Sequence, residues 1–190
     1  MQRLIVFNNL SLDGYFTNRH GDMGWAHAGP PDLEFSAFSA RNARGGGSLI
    51  FGRVTYGLMA AFWPTEAARR QLPEVAAGMA AMTKFVFSRT LKQPGWENTE
   101  VVKGDAATKL RALKREKGRG LAILGSGDLV AQVAAAGVID EYQFVIIPIV
   151  LGSGRTLFEG VKEPLGLKLV ESRTFKNGRV FLRYLPSGRP

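Results

Sequence analysis

The stretch LAILGSGDLVAQVAAAGVIDEYQFVIIPIVLGSG, residues Leu121–Gly154, decides the fold. A short apolar run ends at the turn Gly125-Ser126-Gly127, and apolar residues then recur at helical spacing over Leu129–Ala134. Gly137 is a natural helix end, and an almost uncharged run follows over Tyr142–Val150. This order predicts a buried strand, a glycine turn, a helix and a second buried strand.

The glycine turn is also a candidate ligand site. Backbone N–H groups exposed at the start of the following helix favour an anion, typically a phosphate. The dinucleotide pattern G-x-G-x-x-G is incomplete, because Val130 stands where the third glycine belongs. The turn therefore fits either a phosphate site on another fold or an ordinary tight connection.

Strands and helices alternate through most of the remaining chain. Glycine and proline punctuation and apolar periodicity predict these elements. The predicted strands are Arg3–Leu10, Ser48–Phe51, Lys84–Ser88 and Trp96–Val102, and the predicted helices are Asp32–Arg44, Thr55–Phe62, Glu66–Met82 and Asp105–Lys117. The segment from Tyr15 to Pro31 is predicted to be a long loop.

The end of the chain has a hairpin pattern. Leu167–Phe175 and Arg179–Leu185 alternate as strands around Lys176-Asn177-Gly178, which predicts a type I′ turn. Together these elements predict one α/β domain over residues 1–190, with a mostly parallel central sheet and an antiparallel C-terminal hairpin. Ligands are expected at the carboxyl ends of the parallel strands.

Composition excludes several classes of protein. The 190 residues include no cysteine, which rules out disulfides and thiolate zinc sites and suits a cytoplasmic protein. No apolar run approaches the roughly 18 residues of a membrane span, so no membrane partner is expected. His20 and His27 lack the spacing of metal ligands, so no metal site is expected.

The formal net charge of +9 favours an anionic partner. The densest basic segment, Lys109–Arg119, is typical of a solvated helix face and also fits a nucleic-acid surface. Because no nucleic-acid motif accompanies it, we expect a small anionic ligand, with nucleic-acid binding as the alternative.

Three predicted strand ends carry residues suited to phosphate. They are Gly52-Arg53-Val54-Thr55, Ser88-Arg89-Thr90 and Gly125-Ser126-Gly127-Asp128. Each combines small or hydroxyl residues with a helix start or an arginine, and their joint occurrence is more specific than any one of them.

In order and spacing, these segments resemble the dihydrofolate reductase superfamily, in the branch that contains the reductase domain of bacterial riboflavin-biosynthesis enzymes. The resemblance is carried by Ser11–Tyr15, Leu49–Tyr56, Val86–Arg89, Ile123–Gly127, Ile139–Glu141 and Pro148–Gly154. It implies a dihydrofolate reductase-like three-layer fold and an NADPH-dependent reductase acting on a small, pterin- or pyrimidine-like heterocycle. It also implies a homodimer, for which Tyr142–Val150 and the C-terminal hairpin offer surface. A nucleotide-binding protein without turnover is a further alternative.

The resemblance also implies residue roles around the cofactor. Gly52, Arg53 and Thr55 would meet the cofactor phosphates, and Gly125, Ser126 and Gly127 would hold the pyrophosphate. Ser88 and Arg89 would meet the adenosine 2′-phosphate, and a charge-assisted bond from Arg89 would favour NADPH over NADH.

The predicted catalytic residues are two aspartates. Pro30-Pro31-Asp32-Leu33 resembles the segment of dihydrofolate reductases whose carboxylate binds the substrate. Asp32 would then bind the substrate N–H groups and supply a proton, directly or through water, although it is equally well placed to cap a helix. Asp13, in an Asp-Gly turn beside the expected nicotinamide, is the second candidate. Trp25 and Trp63 fit either the pocket wall or ordinary packing. The segment after Thr55 lacks the ribosyl-phosphate pattern of the riboflavin enzymes, so the substrate stays open.

Overall fold

The computed structural model describes residues 1–188, and the last two residues of the predicted domain, 189–190, lie outside it. The strands are β1 Leu4–Ser11, β2 Tyr15–Asn18, β3 Ser48–Gly52, β4 Thr83–Phe87, β5 Thr99–Val102, β6 Leu121–Leu124, β7 Glu141–Ile147, β8 Gly154–Thr156, β9 Gly166–Thr174 and β10 Val180–Gly188. The helices are α1 Leu33–Arg44, α2 Arg53–Phe62, α3 Glu66–Gln71, α4 Pro73–Ala81, α5 Ala106–Arg115 and α6 Gly127–Ala135, and Gly24–His27 forms a 3₁₀ turn.

Eight strands form the main sheet in the order β5-β4-β3-β6-β1-β7-β10-β9. The first six are parallel, β10 pairs antiparallel with β7, and β9 pairs antiparallel with β10. This confirms the predicted mostly parallel sheet with its C-terminal hairpin. Both edges of β7 are covered, by β1 and by β10, whereas the C-terminal hairpin keeps one free edge, on β9.

Alternating side chains divide the core between the two faces of the sheet. On β1, Val6 packs in a cluster with Leu110 of α5 and Val133 of α6. The next residue, Phe7, packs on the opposite face with Phe38 of α1. Strand side chains alternate between faces, so the sheet lies between two helical layers, as the resemblance implied.

The connections of β3 and β6 diverge, and we refer to the space at the carboxyl ends of these two strands as the crevice. The chain leaves β3 through α2 towards β4, whereas it leaves β6 through α6 towards β7 on the other side. Neighbouring strands whose connections diverge leave an opening at their carboxyl ends, which is where open α/β sheets bind ligands.

Three predicted elements differ in the structure, and the first is a helix. The single helix predicted over Glu66–Met82 is two helices, because Leu72 leaves the helical conformation and Pro73 begins α4. Proline has no N–H to donate within a helix, but it is well accommodated in the first turn.

The predicted type I′ hairpin turn is also wrong. Among the described residues only Asn98 and Ser126 have a positive φ besides glycines, whereas a type I′ turn needs one at Asn177. The Gly178 N–H donates to the Phe175 carbonyl, and Gly178 has a φ of +82°. These features define a three-residue loop that ends in a left-handed glycine.

The predicted loop over Tyr15–Pro31 contains regular structure. Its first residues form β2, which pairs antiparallel with the short strand β8 in a second sheet. No local pattern predicts this pair, because its partners are far apart in the chain and each strand has at most four residues.

A buried ion pair holds α5 to the sheet. Lys114, only 7% exposed, contacts Asp140 with 2.6 Å between Nζ and Oδ2, and its ammonium also donates to the Val138 carbonyl. The same carboxylate accepts from the Leu4 N–H. Lys114 belongs to the basic segment Lys109–Arg119, which the sequence predicts to be solvent-exposed, yet Lys114 itself is buried in the core.

Replacing Asp140 by Ala should lower the free energy of unfolding by about 3 kcal/mol, because it leaves the buried Lys114 ammonium without its counter-charge. Urea denaturation measures this loss. The control is Glu66→Ala, which removes exposed pairs to Arg69 and Arg70 and should cost less than about 1 kcal/mol. Equal losses in the two variants would contradict a special role for the buried pair.

Candidate active site

Three hydrogen bonds join the strand ends around the crevice. The Gly125 N–H donates to Asn8 Oδ1 at 2.7 Å, and the Ser126 N–H donates to Thr55 Oγ1 at 3.0 Å. The Gly52 N–H in turn donates to Ser126 Oγ at 2.7 Å. The carboxyl end of β6 is thereby tied to β1, to β3 and to the first turn of α2.

The turn after β6 has an unusual backbone. Gly125 and Ser126 have φ values of +62° and +63°, so two consecutive residues are left-handed. Glycine adopts this conformation without strain, but serine does so rarely. A Cβ on Gly125 would lie 2.6 Å from Thr55 Cγ2, so only glycine fits there.

Two helix starts face this crevice without side-chain caps. Neither Gly52 at the start of α2 nor Ser126 at the start of α6 caps its helix through a side chain. The first N–H groups of a helix have no intrahelical acceptor, and the helix dipole makes this end positive. The structure therefore brings Gly52, Thr55, Gly125, Ser126 and Gly127 together at one site suited to an anion.

The second sheet lies against this site. A Cβ on Gly127 would meet the Phe16 ring at 3.1 Å and the Thr156 carbonyl at 3.2 Å, so β2 and β8 pack directly on the start of α6. Arg155 of β8 pairs with Asp128 in the first turn of α6, with 2.7 Å between Nη2 and Oδ1. The arginine offsets a carboxylate that would otherwise repel an anion there.

Arg53 and Ser88-Arg89 follow the neighbouring strands β3 and β4 at the same edge of the sheet. Both arginines are exposed, and within residues 1–188 neither forms an ion pair. Ser88 Oγ accepts from the N–H groups of Thr90 and Leu91, which leaves the hydroxyl proton free to donate. Ser88 and Arg89, the residues predicted to meet the 2′-phosphate, thus follow the strand next to β3.

Asp32 caps α1 in the structure. Its Oδ1 accepts from the N–H groups of Glu34 and Phe35, and its Oδ2 accepts from the Asn177 N–H at 3.0 Å. These bonds, above all that from Phe35, lower the pKa of Asp32. Of the two roles predicted for this residue, the geometry shows the cap. The neighbouring Glu34 is exposed and pairs with Arg173.

Asp13 joins two loops at the carboxyl edge. Its Oδ1 accepts from the Leu151 N–H at 3.1 Å and its Oδ2 from the Gly152 N–H at 2.7 Å. A hydrogen bond with Ser11 is the largest cause that lowers the pKa of Asp13 to about 2, and the two backbone bonds add to it. Such a carboxylate stays ionised at neutral pH and is a poor proton donor.

An aromatic cluster lies at the end of α2. The His27 ring stacks on Phe62 at 6.2 Å between centroids and meets Trp63 edge-on at 6.5 Å. Desolvation, and then the charge of Arg179, lower the pKa of His27. Trp63 is buried in the core beside α2, and Trp25 packs against the core beneath α1. Both tryptophans therefore pack against the core, which is one of the two alternatives predicted for them.

Sequence reasoning missed Asn8, which holds the turn after β6. Its side chain is buried, and its Nδ2 has no hydrogen-bond acceptor among residues 1–188. The one available signal was the polar pair Asn8-Asn9 within the apolar strand β1. Arg155 and Arg179 were missed as well, because their importance depends on which distant residues they contact.

Residues 1–188 contain neither a membrane-spanning helix nor a candidate metal cluster. No helix within residues 1–188 is long and apolar enough to cross a bilayer. The same residues hold no cluster of three or more acidic or histidine side chains that could bind a metal ion.

The chain belongs to the RibD C-terminal domain family, whose model matches residues 2–181. This confirms the resemblance drawn from the motifs. The uncharacterized protein YyaP of Bacillus subtilis (strain 168) is 28% identical over 184 residues, which cover 96% of this chain and 94% of YyaP.

Solved structures share the whole fold. A putative riboflavin biosynthesis protein from Shewanella sp. PV-4 superposes with a TM-score of 0.72 at 25% identity, covering 99% of this chain and 100% of that one. Dihydrofolate reductase from Enterococcus faecalis, complexed with NADP(H), gives a TM-score of 0.64 at 14% identity, covering 98% and 97%. The dihydrofolate reductase-like fold is confirmed.

Replacing Thr55 by Val should lower the free energy of unfolding by about 1–3 kcal/mol, because the buried Ser126 N–H loses its acceptor while the side-chain shape is kept. Urea denaturation at neutral pH measures the loss. Thr55→Ser retains the hydroxyl and is the matched control. A valine variant as stable as the serine variant would show that the bond contributes nothing.

Asp13 should make the stability of the fold depend on pH in the acidic range. Its lowered pKa means that the stabilisation is fully present above the ordinary aspartate value of about 4 and is lost as the pH falls towards 2. Thermal melts between pH 5 and 2 should therefore show a steeper decline for the wild type than for Asp13→Asn. Parallel declines would contradict this assignment.

Proposed function

We propose that the protein is an NADPH-dependent reductase that transfers a hydride to a small, planar heterocyclic substrate. The single observation that carries the proposal is the crevice between β3 and β6, where two uncapped helix starts are locked together by Gly52, Thr55 and Ser126. Membership of the RibD C-terminal domain family and the shared fold of an NADP(H)-bound dihydrofolate reductase support it.

The donors present fit a dinucleotide phosphate. Backbone N–H groups at both helix starts suit a pyrophosphate, and the left-handed turn at Gly125-Ser126 brings backbone close to a ligand. The unpaired, buried Nδ2 of Asn8 offers one more donor behind this turn. NADPH, when bound, would supply the hydride, and the protein's part is to bind and orient it.

The adenosine end would lie beside β3 and β4. Arg53 and Arg89 are exposed there, and each can offer a fork of N–H donors to a phosphate. A charged hydrogen bond contributes about 1.5–3 kcal/mol, enough for a preference of tenfold or more for NADPH over NADH. The net charge of +9 would further favour the approach of this anionic cofactor.

Asp32 and Asp13 both accept backbone N–H groups through both oxygens, and both have lowered pKa values. The proton that accompanies the hydride would therefore come from solvent water, with Asp32 orienting the substrate or relaying the proton through water, as the resemblance implies. A protein that binds the nucleotide without turnover would share the crevice, and it would bind NADPH but never oxidise it.

Thermal unfolding with NADPH, with NADH and with neither tests the cofactor. Stabilisation at 100 times the dissociation constant should reach about 2.7 kcal/mol, and the NADPH shift should exceed the NADH shift. In Arg89→Ala the excess should largely disappear, because the 2′-phosphate loses its charged partner. Equal shifts with both nucleotides would contradict the role of Arg89.

Arg115→Ala is the matched control for this experiment. Arg115 is an exposed arginine on α5, so its loss changes the net charge equally without touching the crevice. A preference for NADPH that falls in both variants would indicate a general charge effect. No shift with either nucleotide in the wild type would overturn the proposed function.

A further inference from the structure

A cavity, which we call the α6 cavity, lies alongside the helix α6. Its volume is about 720 Å³, within the range of about 300–1,000 Å³ that is usual for sites of small organic molecules. One wall is α6, the floor is the start of β7, and the other wall is the loop from β8 to β9 together with the end of β10. Gly52, Thr55 and the turn Gly125–Gly127 do not line it, so the α6 cavity is distinct from the crevice.

The walls of the α6 cavity are mostly apolar. Ala131 of α6 and Ile139, which precedes β7, are buried and line one side. Leu165 and Leu167 line the other side, where they are half-buried and pack against the main core cluster, and Pro186 of β10 adjoins them. Alanine and proline have short or rigid side chains, so these walls suit a rigid, planar, apolar molecule.

Tyr142 adds one polar group to the floor. The residue is only 3% exposed, and its ring packs against Phe144 and Phe158, with 6.3 and 5.9 Å between centroids. No residue within 1–188 hydrogen-bonds to its hydroxyl, and burial is the one cause that raises the pKa of Tyr142 to about 12. Buried tyrosine hydroxyls normally have a partner. Because the small exposed part of Tyr142 borders the α6 cavity, a molecule bound there is placed to accept this proton.

The charged side chains around the α6 cavity are mostly acidic. Asp128, Glu159 and Glu163 line it together with one cation, Lys162. Arg155 lies beside them and pairs with Asp128 at 2.7 Å and with Glu159 at 3.5 Å. Three carboxylates against two cations leave a formal negative charge here, although the whole chain carries a net charge of +9. The α6 cavity therefore disfavours an anion, in contrast to the crevice.

Size, polarity and charge together define the class of ligand. An apolar space of this volume gains free energy by burying an apolar molecule. The single unpaired donor on its floor asks for one acceptor atom, and the acidic surroundings exclude a phosphate or a carboxylate. A dinucleotide such as NADPH does not fit this description, because it is polar and anionic.

We propose that the α6 cavity is a second ligand site, which binds an uncharged, planar aromatic molecule whose acceptor atom receives the hydrogen bond of the Tyr142 hydroxyl. The site is independent of the proposed reductase function. Binding in the α6 cavity without any thermal shift by NADPH would retain this site and lose the reductase, and a shift by NADPH without binding in the α6 cavity would do the reverse.

Isothermal titration with three bicyclic probes at neutral pH tests the ligand class. Quinoline and naphthalene share one shape, but only quinoline has an acceptor nitrogen, and quinoline-6-carboxylate adds a negative charge to it. The wild type should bind quinoline at one site and should bind the carboxylate more weakly. Absence of quinoline binding, or a preference for the carboxylate, would overturn the proposal.

Tyr142→Phe tests the hydrogen bond, because it removes the hydroxyl and keeps the ring. The ratio of quinoline affinity to naphthalene affinity should fall at least about fivefold, the effect of one neutral hydrogen bond. Tyr184→Phe is the matched control, since Tyr184 pairs with Tyr142 across β10 and β7 but does not line the α6 cavity, and it should leave the ratio unchanged. Equal ratios in the wild type and Tyr142→Phe would contradict the assignment. So would a loss of stability in urea for Tyr142→Phe, because it would show that the hydroxyl serves the fold.

Ala135→Trp locates the bound probe. Ala135 is an exposed residue of α6 that lines the α6 cavity, so an indole there should fill the space and abolish the binding of quinoline. Ala112→Trp, on the exposed side of α5, is the control and should leave binding unchanged. Binding that survives in Ala135→Trp would place quinoline elsewhere, for example in the crevice, and would overturn the proposal.

Sedimentation velocity identifies a competing occupant, a second copy of the chain. The state of association should be the same with and without saturating quinoline. A probe that dissociates a dimer would show that the α6 cavity is part of an interface between copies, which would overturn its assignment as a ligand site.

Discussion

The structure depends on the hydrogen bonds that fix the left-handed turn at Gly125-Ser126. Asn8 and Thr55 each accept one backbone N–H of this turn, and Ser126 Oγ accepts from Gly52. Without these bonds the ends of β1, β3 and β6 would be separate loops. With them, two helices begin at one point with their dipoles directed into the same crevice. The serine conformation is intrinsically unfavourable, and persists because three strands determine it.

The carboxyl edge of the sheet has a consistent electrostatic character. Asp13 and Asp32 accept backbone N–H groups, and Asp128 pairs with Arg155. The acidic groups along this edge are thus engaged by local structure, while the two helix N-termini and the exposed Arg53 and Arg89 have no such partners among residues 1–188. Around β3, β4 and β6 this arrangement favours the approach of an anion.

Within the dihydrofolate reductase-like fold, the two ends of the proposed site differ in how far they keep the family pattern. At the proposed cofactor end, Gly52, Thr55 and Ser126 are in contact with each other. At the proposed substrate end, Asp32 caps α1 and also accepts the Asn177 N–H of the C-terminal hairpin. Scaffolds of this kind change substrate through loops at the strand ends while the core is preserved.

The sequence by itself determined the order of the main elements, the mostly parallel sheet and the family. Apolar periodicity and glycine positions are local signals, so they located β1, β3, β6 and the helix after Gly127 correctly. They also predicted the residues Gly52, Thr55 and Ser126, which meet in the structure. Pro73 was a local signal too, and treating Glu66–Met82 as one helix gave it too little weight.

Only the tertiary structure decided which partners the polar side chains have. Asn8 meets Gly125 across 117 residues and Asp13 meets Gly152 across 139, and no local pattern encodes such contacts. The pairing of β2 with β8 is likewise a contact between distant segments. The hydrogen bonds of Asp32 also depend on such a contact, because its Oδ2 accepts the Asn177 N–H of the C-terminal hairpin. The sequence determines which donors and acceptors a side chain has, but folding determines which of them are already paired.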